Sequence, residues 1–247
     1  MSTPSAPGAS PPVRATTRIL LVRHGESNAT FSRLMAGERA CTGLSPLGRL
    51  QAERLADRIA AGHDGYPEAV WSSPLPRALE TAQVLLPALP DVVDLVTDDA
   101  WQELRPGDAD GLRFEEIVAR YGRPDDGQPD RRWWPGSETL NEFHDRVIDA
   151  WERLVDATAG TTALVSCHGG VIDVVFRHVL GLPRAGGFDL WTLNTSITEL
   201  VARHPPGERP SRWRLARFND ASHLAGLPKD SVVRAVAPDS PPQADPV

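Results

Sequence analysis

The stretch RILLVRHGES, residues 18–27, joins an apolar run to a short charged segment. The run RILLV, residues 18–22, is apolar at consecutive positions, as buried strands of a parallel sheet are. Arg23, His24 and Gly25 follow at once, so a cation, an imidazole and a small, flexible residue stand together where this strand ends. Because open α/β sheets bind ligands at the carboxyl ends of their strands, the stretch predicts both a fold class and a site.

Four further runs along the chain predict strands, and the segments between them predict helices. Ser45 and Pro46 are typical of an N-cap and first helical residue, and Ser137, Glu138 and Thr139 open a second helix. We therefore expect an α/β fold, a three-layer sandwich with a mostly parallel central sheet flanked by helices. The predicted strands cover 68–72, 91–96, 161–166 and 197–202; the helices carry the apolar stripes Ala52, Leu55, Ala56, Ile59 and Leu140, Phe143, Val147, Trp151, Leu154, Val155; a third helix covers 171–180.

Length and composition predict one domain with polar tails. A chain of 247 residues that is 40% hydrophobic can bury a sizeable core. Residues 1–17 are rich in Pro, Ser, Ala and Gly and have no helical periodicity or signal-peptide pattern, so we expect a disordered tail. The same Pro-rich character predicts that the C-terminal extension, 221–247, is largely disordered. The folded domain is expected to span residues 18–220.

Charge and cysteine content exclude several classes of function. The net charge of −7 argues against a general nucleic-acid surface, and an anionic ligand would have to be held locally. No apolar run is long enough to cross a bilayer, so we expect no membrane partner. Cys41 and Cys167 form neither a disulfide framework nor a zinc-ligand spacing, which favours reduced thiols and a cytoplasmic location. The sequence leaves open whether the chain is a homo-oligomer.

A second group of polar residues follows another predicted strand. Cys167, His168, Gly169 and Gly170 stand directly before a predicted helix, whose N-terminus offers amide donors and a positive dipole end to an anion. Arg77, in SSPLPRALETA (72–82), falls in the first turn of another helix and can point to the same rim. Guanidinium forks suit phosphate oxygens, so the residues predict a cationic, phosphate-binding cavity.

Several longer segments carry a pattern that extends beyond these residues. They are RHGES (23–27), GLSPLGRLQA (43–52), SSPLPRALETA (72–82), WQELRPGDADGL (101–112), PGSETLNEFHDRV (135–147), CHGGVIDVVFRHVLGLP (167–183) and NTSITEL (194–200). In order and rough spacing they resemble the histidine phosphatase superfamily, which includes cofactor-dependent phosphoglycerate mutase. The resemblance covers about Arg18 to Asp220. The resemblance implies a phosphoglycerate mutase-like fold.

The resemblance also implies a role for each matching residue. His24 matches the nucleophile that forms a phosphohistidine, which water later hydrolyses. Arg23, Arg77 and His168 match the residues that hold the phosphoryl oxygens, and Glu103 matches the proton donor to the leaving alkoxide. His168 is thereby counted with His24 and Glu103 in the catalytic group. The family's chemistry needs no cofactor or metal, and Gly25 is expected to let the backbone turn without crowding the incoming group.

Some positions depart from the family pattern. Many members have an asparagine where this chain has Thr30, whereas Asn28 lies two residues earlier, so we expect Asn28 or Thr30 to contact the phosphate. The Ser/Thr-Gly-Trp segment of the mutases is absent, and ELRPGDADGL resembles the phosphatase branch. We therefore expect a phosphomonoesterase that hydrolyses a small phosphorylated metabolite. The alternatives are phosphoglycerate mutase-type transfer and a weakly catalytic module that binds a phosphorylated ligand.

Apolar residues outside the predicted phosphate-binding group predict the walls of a substrate pocket. Phe31, Leu34 and Met35 lie in the first loop, and Trp133 and Trp134 lie in a later, otherwise polar loop. The two tryptophans either complete the core or form a lid over the substrate.

Other residues that could carry chemistry have simpler interpretations. Cys167 is expected to be a small buried residue rather than a nucleophile. The remaining histidines are expected to be surface or satisfied core residues; they are His63, His144, His178, His204 and His223.

Overall fold

Six strands form one mixed sheet in the computed structural model of the chain, which describes residues 14–125, 127–186, 188 and 190–228. Helices cover both faces of the sheet, so the predicted three-layer α/β sandwich is confirmed. The strands are β1 (Ala15–Arg23), β2 (Ala69–Ser72), β3 (Leu95–Thr97), β4 (Thr162–Cys167), β5 (Ile197–His204) and β6 (Trp213–Asp220). The helices are α1 (Asn28–Phe31), α2 (Pro46–Ala60), α3 (Pro76–Leu85), α4 (Phe114–Tyr121), α5 (Leu140–Ala157) and α6 (Gly169–Leu180). Short 3₁₀ turns cover Leu86–Ala88, Asp99–Trp101, Gly107–Ala109 and Ser222–Leu224.

The order of the strands places β1 and β4 side by side in the middle of the sheet. The order is β3-β2-β4-β1-β5-β6, in which β3, β2, β4 and β1 run parallel and β5 is antiparallel to both of its neighbours, β1 and β6. In the register of the central pair, Arg18 lies opposite Thr162 and Arg23 lies opposite Cys167. The carboxyl ends of these two strands therefore meet at one edge of the sheet.

The two faces of the sheet bury separate apolar clusters. Alternate residues of β1 face opposite layers, because successive side chains of a strand point to opposite faces. Ile19 and Leu21 pack with α5 and α6, and Leu20 and Val22 pack with α2 and α3. The helices supply the predicted stripes, of which Ala52, Leu55, Ile59, Phe143, Val147, Trp151, Leu154 and Val155 are buried.

The helix starts follow the predicted capping chemistry. The Ser45 Oγ accepts a hydrogen bond from the Gly48 amide at 3.0 Å, and Pro46 is the first residue of α2. Thr139 caps α5, where its hydroxyl accepts from the Glu142 amide and the Glu142 carboxylate accepts from the Thr139 amide. Both helices therefore begin within a residue or two of the positions that the sequence indicates.

The first strand starts earlier than predicted. β1 begins at Ala15, so the boundary placed after residue 17 is wrong by three residues. Ala15 and Thr16 pair with β5, and the buried Thr17 hydroxyl lies 2.8 Å from His204 Nε2, which gives these polar residues partners that the sequence does not reveal. The rest of the predicted tail, residues 1–13, and residues 229–247 of the predicted extension lie outside the described residues.

Two edge strands differ from the sequence prediction. The strand predicted at 91–96 is reduced to Leu95–Thr97, and β6 was not predicted. Both lie at edges of the sheet, and most of their residues are at least partly exposed, so neither has the continuous apolar run of a central strand. No helix within the described residues is long and apolar enough to cross a membrane.

Candidate active site

The ends of three parallel strands bring the two predicted histidines together. His24 follows β1, His168 follows β4 and Ser73 follows β2. The His24 amide donates to the Cys167 carbonyl at 3.0 Å, so the chain leaving β1 stays beside the chain leaving β4. The two imidazole rings lie with their centroids 5.1 Å apart, in an edge-to-face arrangement.

The two nitrogens of His24 have different hydrogen-bond partners. Nδ1 lies 2.7 Å from the Gly25 carbonyl oxygen, which can only accept, so Nδ1 carries the proton. Nε2 lies 3.1 Å from the Arg77 Nε, which can only donate, so Nε2 carries the lone pair. His24 therefore presents an unprotonated Nε2 on the side of Arg77.

The surroundings of His24 keep its ring neutral. Burial lowers the pKa of His24 well below its usual value, and the charges of Arg77 and Arg23 lower it further. The hydrogen bond to Gly25 opposes this shift without reversing it. A neutral imidazole whose Nε2 carries a lone pair is the form that can attack an electrophile.

Two arginines flank His24, and each is anchored by a backbone carbonyl. Arg77, buried in the first turn of α3, donates from NH1 to the Ala36 carbonyl at 3.0 Å. Arg23 donates from NH1 to the Thr192 carbonyl. These anchors fix both guanidinium planes beside His24, an arrangement that can hold phosphoryl oxygens.

His168 is buried and keeps one nitrogen available. Its Nε2 lies 2.8 Å from the Ser73 hydroxyl, and its Nδ1 has no hydrogen-bond partner within the part of the chain that the structure describes. Burial lowers the pKa of His168, as do the charges of Arg77, His24 and Arg23. The site therefore holds a second neutral imidazole.

Glu103 lies against the N-terminus of α6. One carboxylate oxygen accepts from the Gly170 amide at 3.0 Å, and the other accepts from the Leu104 amide at 3.0 Å. The Gly170 amide, which was expected to be available to a bound anion, therefore donates to a carboxylate of the protein itself. Glu103 also lines the cavity beside His24, where a carboxyl group can exchange a proton with a bound substrate.

The cavity at this edge has a volume of about 350 Å³. Its polar end is the pair Arg23 and Arg77 with His24, and Leu34 and Met35 form an apolar wall as predicted. Phe31 does not line it and is 66% exposed, so that part of the pocket prediction is wrong. The lining residues are Arg23, His24, Ser27, Ala29, Thr30, Arg33, Leu34, Met35, Ala36, Arg77, Glu103 and Phe114.

The prediction for Asn28 is also wrong. Its side chain donates to the Thr42 carbonyl at 3.3 Å, and Asn28 is not among the residues that line the cavity. The chain turns into α1 directly after Ser27, which directs position 28 toward the 42–43 loop and brings Thr30 to the cavity. The Thr30 hydroxyl lies 2.8 Å from the Ser27 hydroxyl, so two hydroxyls stand where the family pattern has an asparagine.

The two tryptophans belong to a small core. Trp134 is buried with Ala109 and Ile117, and the Trp133 indole donates to the Asp125 carbonyl at 3.0 Å. Neither lines the cavity, so the packing of the two tryptophans favours the core alternative over the lid. Met35 packs against this cluster as well as lining the cavity, which means that the tryptophans support one cavity wall from behind.

Gly25 is required by packing rather than by a turn. A Cβ at Gly25 would lie 2.4 Å from the Gly48 carbonyl oxygen in α2, and Gly25 does not have a positive φ. The expectation that Gly25 makes room for the incoming group is therefore corrected: it makes room for a helix. The Gly25 amide donates to the Thr81 hydroxyl at 3.0 Å, which ties the same residue to α3.

Several supporting residues were not predicted from the sequence. The Ser73 hydroxyl lies within hydrogen-bond distance of His168, and the Asn194 side-chain Nδ2 donates to the His24 carbonyl at 2.7 Å. Arg33 and Phe114 line the cavity. Ser73 and Asn194 lie in segments that carry the family resemblance, so a signal existed, but Arg33 and Phe114 come together only through the fold.

Other candidate groups do not form a site. Cys167 is fully buried, and burial raises the pKa of its thiol, which makes it a poor nucleophile. Among the described residues, no group of three or more His, Cys, Asp or Glu side chains is arranged to hold a metal ion. His24 is therefore the nucleophile that the geometry favours.

Comparisons with known proteins identify the family of the chain. The family model described as histidine phosphatase superfamily (branch 1) matches residues 19–221. The chain is 32% identical to phosphoglycerate mutase-like protein 4 of Arabidopsis thaliana over 83% of this chain and 86% of that protein. It is 28% identical to the metal-independent phosphoserine phosphatase of the same plant, over 85% and 84% of the two chains.

A solved structure shows the same relationship. The mycobacterial glucosyl-3-phosphoglycerate phosphatase superposes with a TM-score of 0.66 at 27% identity, covering 83% of this chain and 99% of that chain. The matched region contains His24 and the residues around it, namely Arg23, Arg77, Glu103 and His168. The chain therefore belongs to branch 1 of the histidine phosphatase superfamily.

Proposed function

We propose that the chain hydrolyses a small phosphomonoester through a phosphohistidine on Nε2 of His24. The observation that carries the proposal is the tautomer of His24, because the Gly25 carbonyl holds the proton on Nδ1 and leaves the Nε2 lone pair in a cavity flanked by two arginines. Nε2 attacks phosphorus, and the bond from phosphorus to the substrate oxygen breaks. Glu103 in its acid form gives the departing alkoxide a proton.

The second half of the reaction uses the same groups in reverse. The Glu103 carboxylate takes a proton from a water molecule, whose oxygen attacks phosphorus as the bond to Nε2 breaks. Arg23, Arg77 and His168 Nδ1 hold the phosphoryl oxygens in both steps and supply the positive charge and donors that a metal ion supplies elsewhere. Water completes the cycle by releasing inorganic phosphate and restoring His24.

The mouth of the cavity favours a particular class of substrate. Arg33 has a φ of 57°, a strained value for a residue with a side chain, and it lines the cavity with its guanidinium exposed. Within the described residues, no carboxylate lies within 4.0 Å of that guanidinium. With Leu34, Met35 and Phe114 nearby, the wall suits a phosphomonoester with a partly apolar body and a second negative group. Two of the relatives are named for phosphoserine and glucosyl-3-phosphoglycerate, which both have a carboxylate.

Rapid quenching with a ³²P-labelled substrate tests the nucleophile. We expect an acid-labile, base-stable phosphoenzyme in the parent chain and none in His24→Ala, which should lose nearly all turnover. His168→Ala should bind phosphate more weakly and label at the same position. Label on Cys167 or on a serine would overturn the proposal.

A panel of phosphomonoesters tests the substrate class. We expect Arg33→Gln to raise KM roughly tenfold for substrates that carry a carboxylate or second phosphate, and to leave p-nitrophenyl phosphate unchanged. Equal KM changes for both kinds of substrate would show that Arg33 does not read a second charge. Net transfer of phosphate to a second hydroxyl, without release, would instead favour a mutase.

A further inference from the structure

A second cavity lies at the opposite end of the sheet from the active site. It has a volume of about 520 Å³ and is lined by Arg14, Val201, Arg203, Arg212, Trp213, Arg214 and Ala216. We call it the arginine groove. Arg14 precedes β1 and Val201 lies opposite Arg18, whereas Arg23 ends the same strand, so at least five residues of β1, about 16 Å, separate the groove from the active site.

The register of the strands places the arginines on one face of the sheet. Val201 lies opposite Arg214 and Ala202 lies opposite Trp213 in the antiparallel pair of β5 and β6. Arg203 and Arg212 directly adjoin the last residue pair of this register, and both line the cavity. Like charges held close together on neighbouring segments repel each other, and a bound anion would remove that repulsion.

Charges of the protein do not neutralise the groove. Its lining contains no Asp or Glu, and no carboxylate within the described ranges lies within 4.0 Å of any of its four guanidinium groups. On the same strands, by contrast, Arg18 and Arg217 both pair with Glu199 at 2.7 Å. The groove is thus a local concentration of positive charge on a chain whose net charge is −7.

We propose that the arginine groove binds a short polyanion with two or more linked phosphoryl groups. Each guanidinium offers a planar fork of donors that matches phosphate oxygens. Neighbouring strands lie about 5 Å apart and alternate residues of one strand lie about 7 Å apart. The spacing of Arg203, Arg212 and Arg214 therefore allows successive phosphoryl groups of one ligand to bind different guanidinium groups. The cavity volume is that of a small-molecule site.

The same observations disfavour longer or flatter polyanions. The Trp213 ring packs against Trp151 with centroids 5.0 Å apart, so it is not free to stack on nucleic-acid bases. The net charge of −7 repels a long polyanion or an anionic membrane, whereas a short ligand inside the groove feels mainly the nearby arginines. An oligophosphate, either inorganic or as part of a nucleotide, fits these constraints.

Titration calorimetry of the full chain with tripolyphosphate tests the proposal. The titration is carried out in excess orthophosphate, which occupies the active site. A single phosphate contacts too few guanidinium groups to compete well for the groove. We expect one binding event that weakens with added salt. Arg203→Gln with Arg212→Gln should raise the Kd roughly 100-fold. Because it removes repulsion between strands, this variant should melt no lower than the parent, and its turnover of p-nitrophenyl phosphate should be unchanged.

A matched control replaces two exposed arginines elsewhere, Arg120→Gln with Arg123→Gln, and should leave the Kd within about twofold. ATP and tripolyphosphate binding equally would identify the phosphate chain as the recognised group; tighter ATP binding would add a contact to the nucleoside. Absence of binding by the parent, equal loss in the control variant, or tighter binding of a single-stranded oligonucleotide or an anionic vesicle would overturn the proposal.

Discussion

Burial and the two neighbouring arginines set the protonation of His24, and this has a measurable consequence. Burial and the charges of Arg77 and Arg23 lower the pKa of His24 well below 6.5, so the ring should stay neutral as the pH falls through the range where an exposed histidine gains its proton. We expect the His24 ring resonances to remain constant between pH 8 and about 5.5. NMR of the chain with ¹³C-labelled histidine checks this, and the His24→Ala spectrum assigns the resonance. A titration midpoint near 6.5 would contradict the electrostatic argument.

The role of Glu103 can be separated from the roles of Arg23, Arg77 and His168. The carboxyl group lines the cavity but does not bond the nucleophile, so Glu103→Gln should leave phosphoenzyme formation possible while removing the proton donor. We expect kcat for an alkyl phosphate to fall by about 100-fold or more, and kcat for p-nitrophenyl phosphate to fall by far less, because nitrophenolate leaves without a proton. Steady-state kinetics on both substrates measure the ratio. An equal loss on both would show that Glu103 has another function.

At the scale of elements, α2 is part of the active site although it carries no catalytic residue. Its cap Ser45 donates from Oγ to the Glu26 carboxylate at 2.8 Å, and Gln51 accepts from the Glu26 amide at 2.8 Å. The helix contacts the loop that follows β1 at Gly48, where an added Cβ would lie 1.9 Å from the Glu26 carbonyl oxygen. The backbone of the loop is therefore held by direct contact with the helix.

Replacement of Gly48 tests this contact. We expect Gly48→Ala to lower the free energy of unfolding by about 3 kcal/mol and to lower turnover, because the loop carrying His24 must move away from α2. Glu53→Ala, at an exposed position of the same helix, serves as control and should change stability by less than about 0.5 kcal/mol. Urea unfolding and activity of both variants measure the effects. If Gly48→Ala is as stable and active as the control, the helix does not position the loop.

The same elements show what a sequence can and cannot predict. β1, β4 and α2 have strong local signals, namely continuous apolar runs and a capped amphipathic stripe, and they were predicted within a few residues. β6 is partly exposed and contains charged residues, so it lacks the continuous apolar run by which a local pattern reveals a strand.

The candidate site divides in the same way. His24 and His168 follow strands and are predictable from topology. Asn28 failed because one short helix, α1, decides which of two nearby residues faces the cavity. Arg33 and Phe114 meet only when two distant loops fold together.

At the scale of the whole molecule, one ionic network joins the sheet edge to a helix layer. Arg58 of α2 binds Asp64 at 2.6 Å and Asp220 at 2.6 Å, and Arg217 of β6 binds Asp64 and Glu199. Glu199 in turn binds Arg18 of β1. The network therefore connects the edge strand β6 with β5, β1 and α2, where the apolar contacts of β6 alone are few.

The network makes stability depend on pH with a definite sign. Burial raises the pKa of Asp64, but hydrogen bonds from Arg58 and Arg217 lower it more, so that it lies below the usual 3.8. A group whose pKa is lower in the folded state stabilises the fold above its unfolded pKa, and that contribution is lost as the pH falls through the folded pKa.

We expect Asp64→Asn to lower the free energy of unfolding by about 2 kcal/mol at pH 7. The difference from the parent should shrink steadily below about pH 4. Urea unfolding from pH 7 to 3 measures it, with the exposed Asp57→Asn as control; a difference that stays constant with pH would show that Asp64 acts through packing rather than charge.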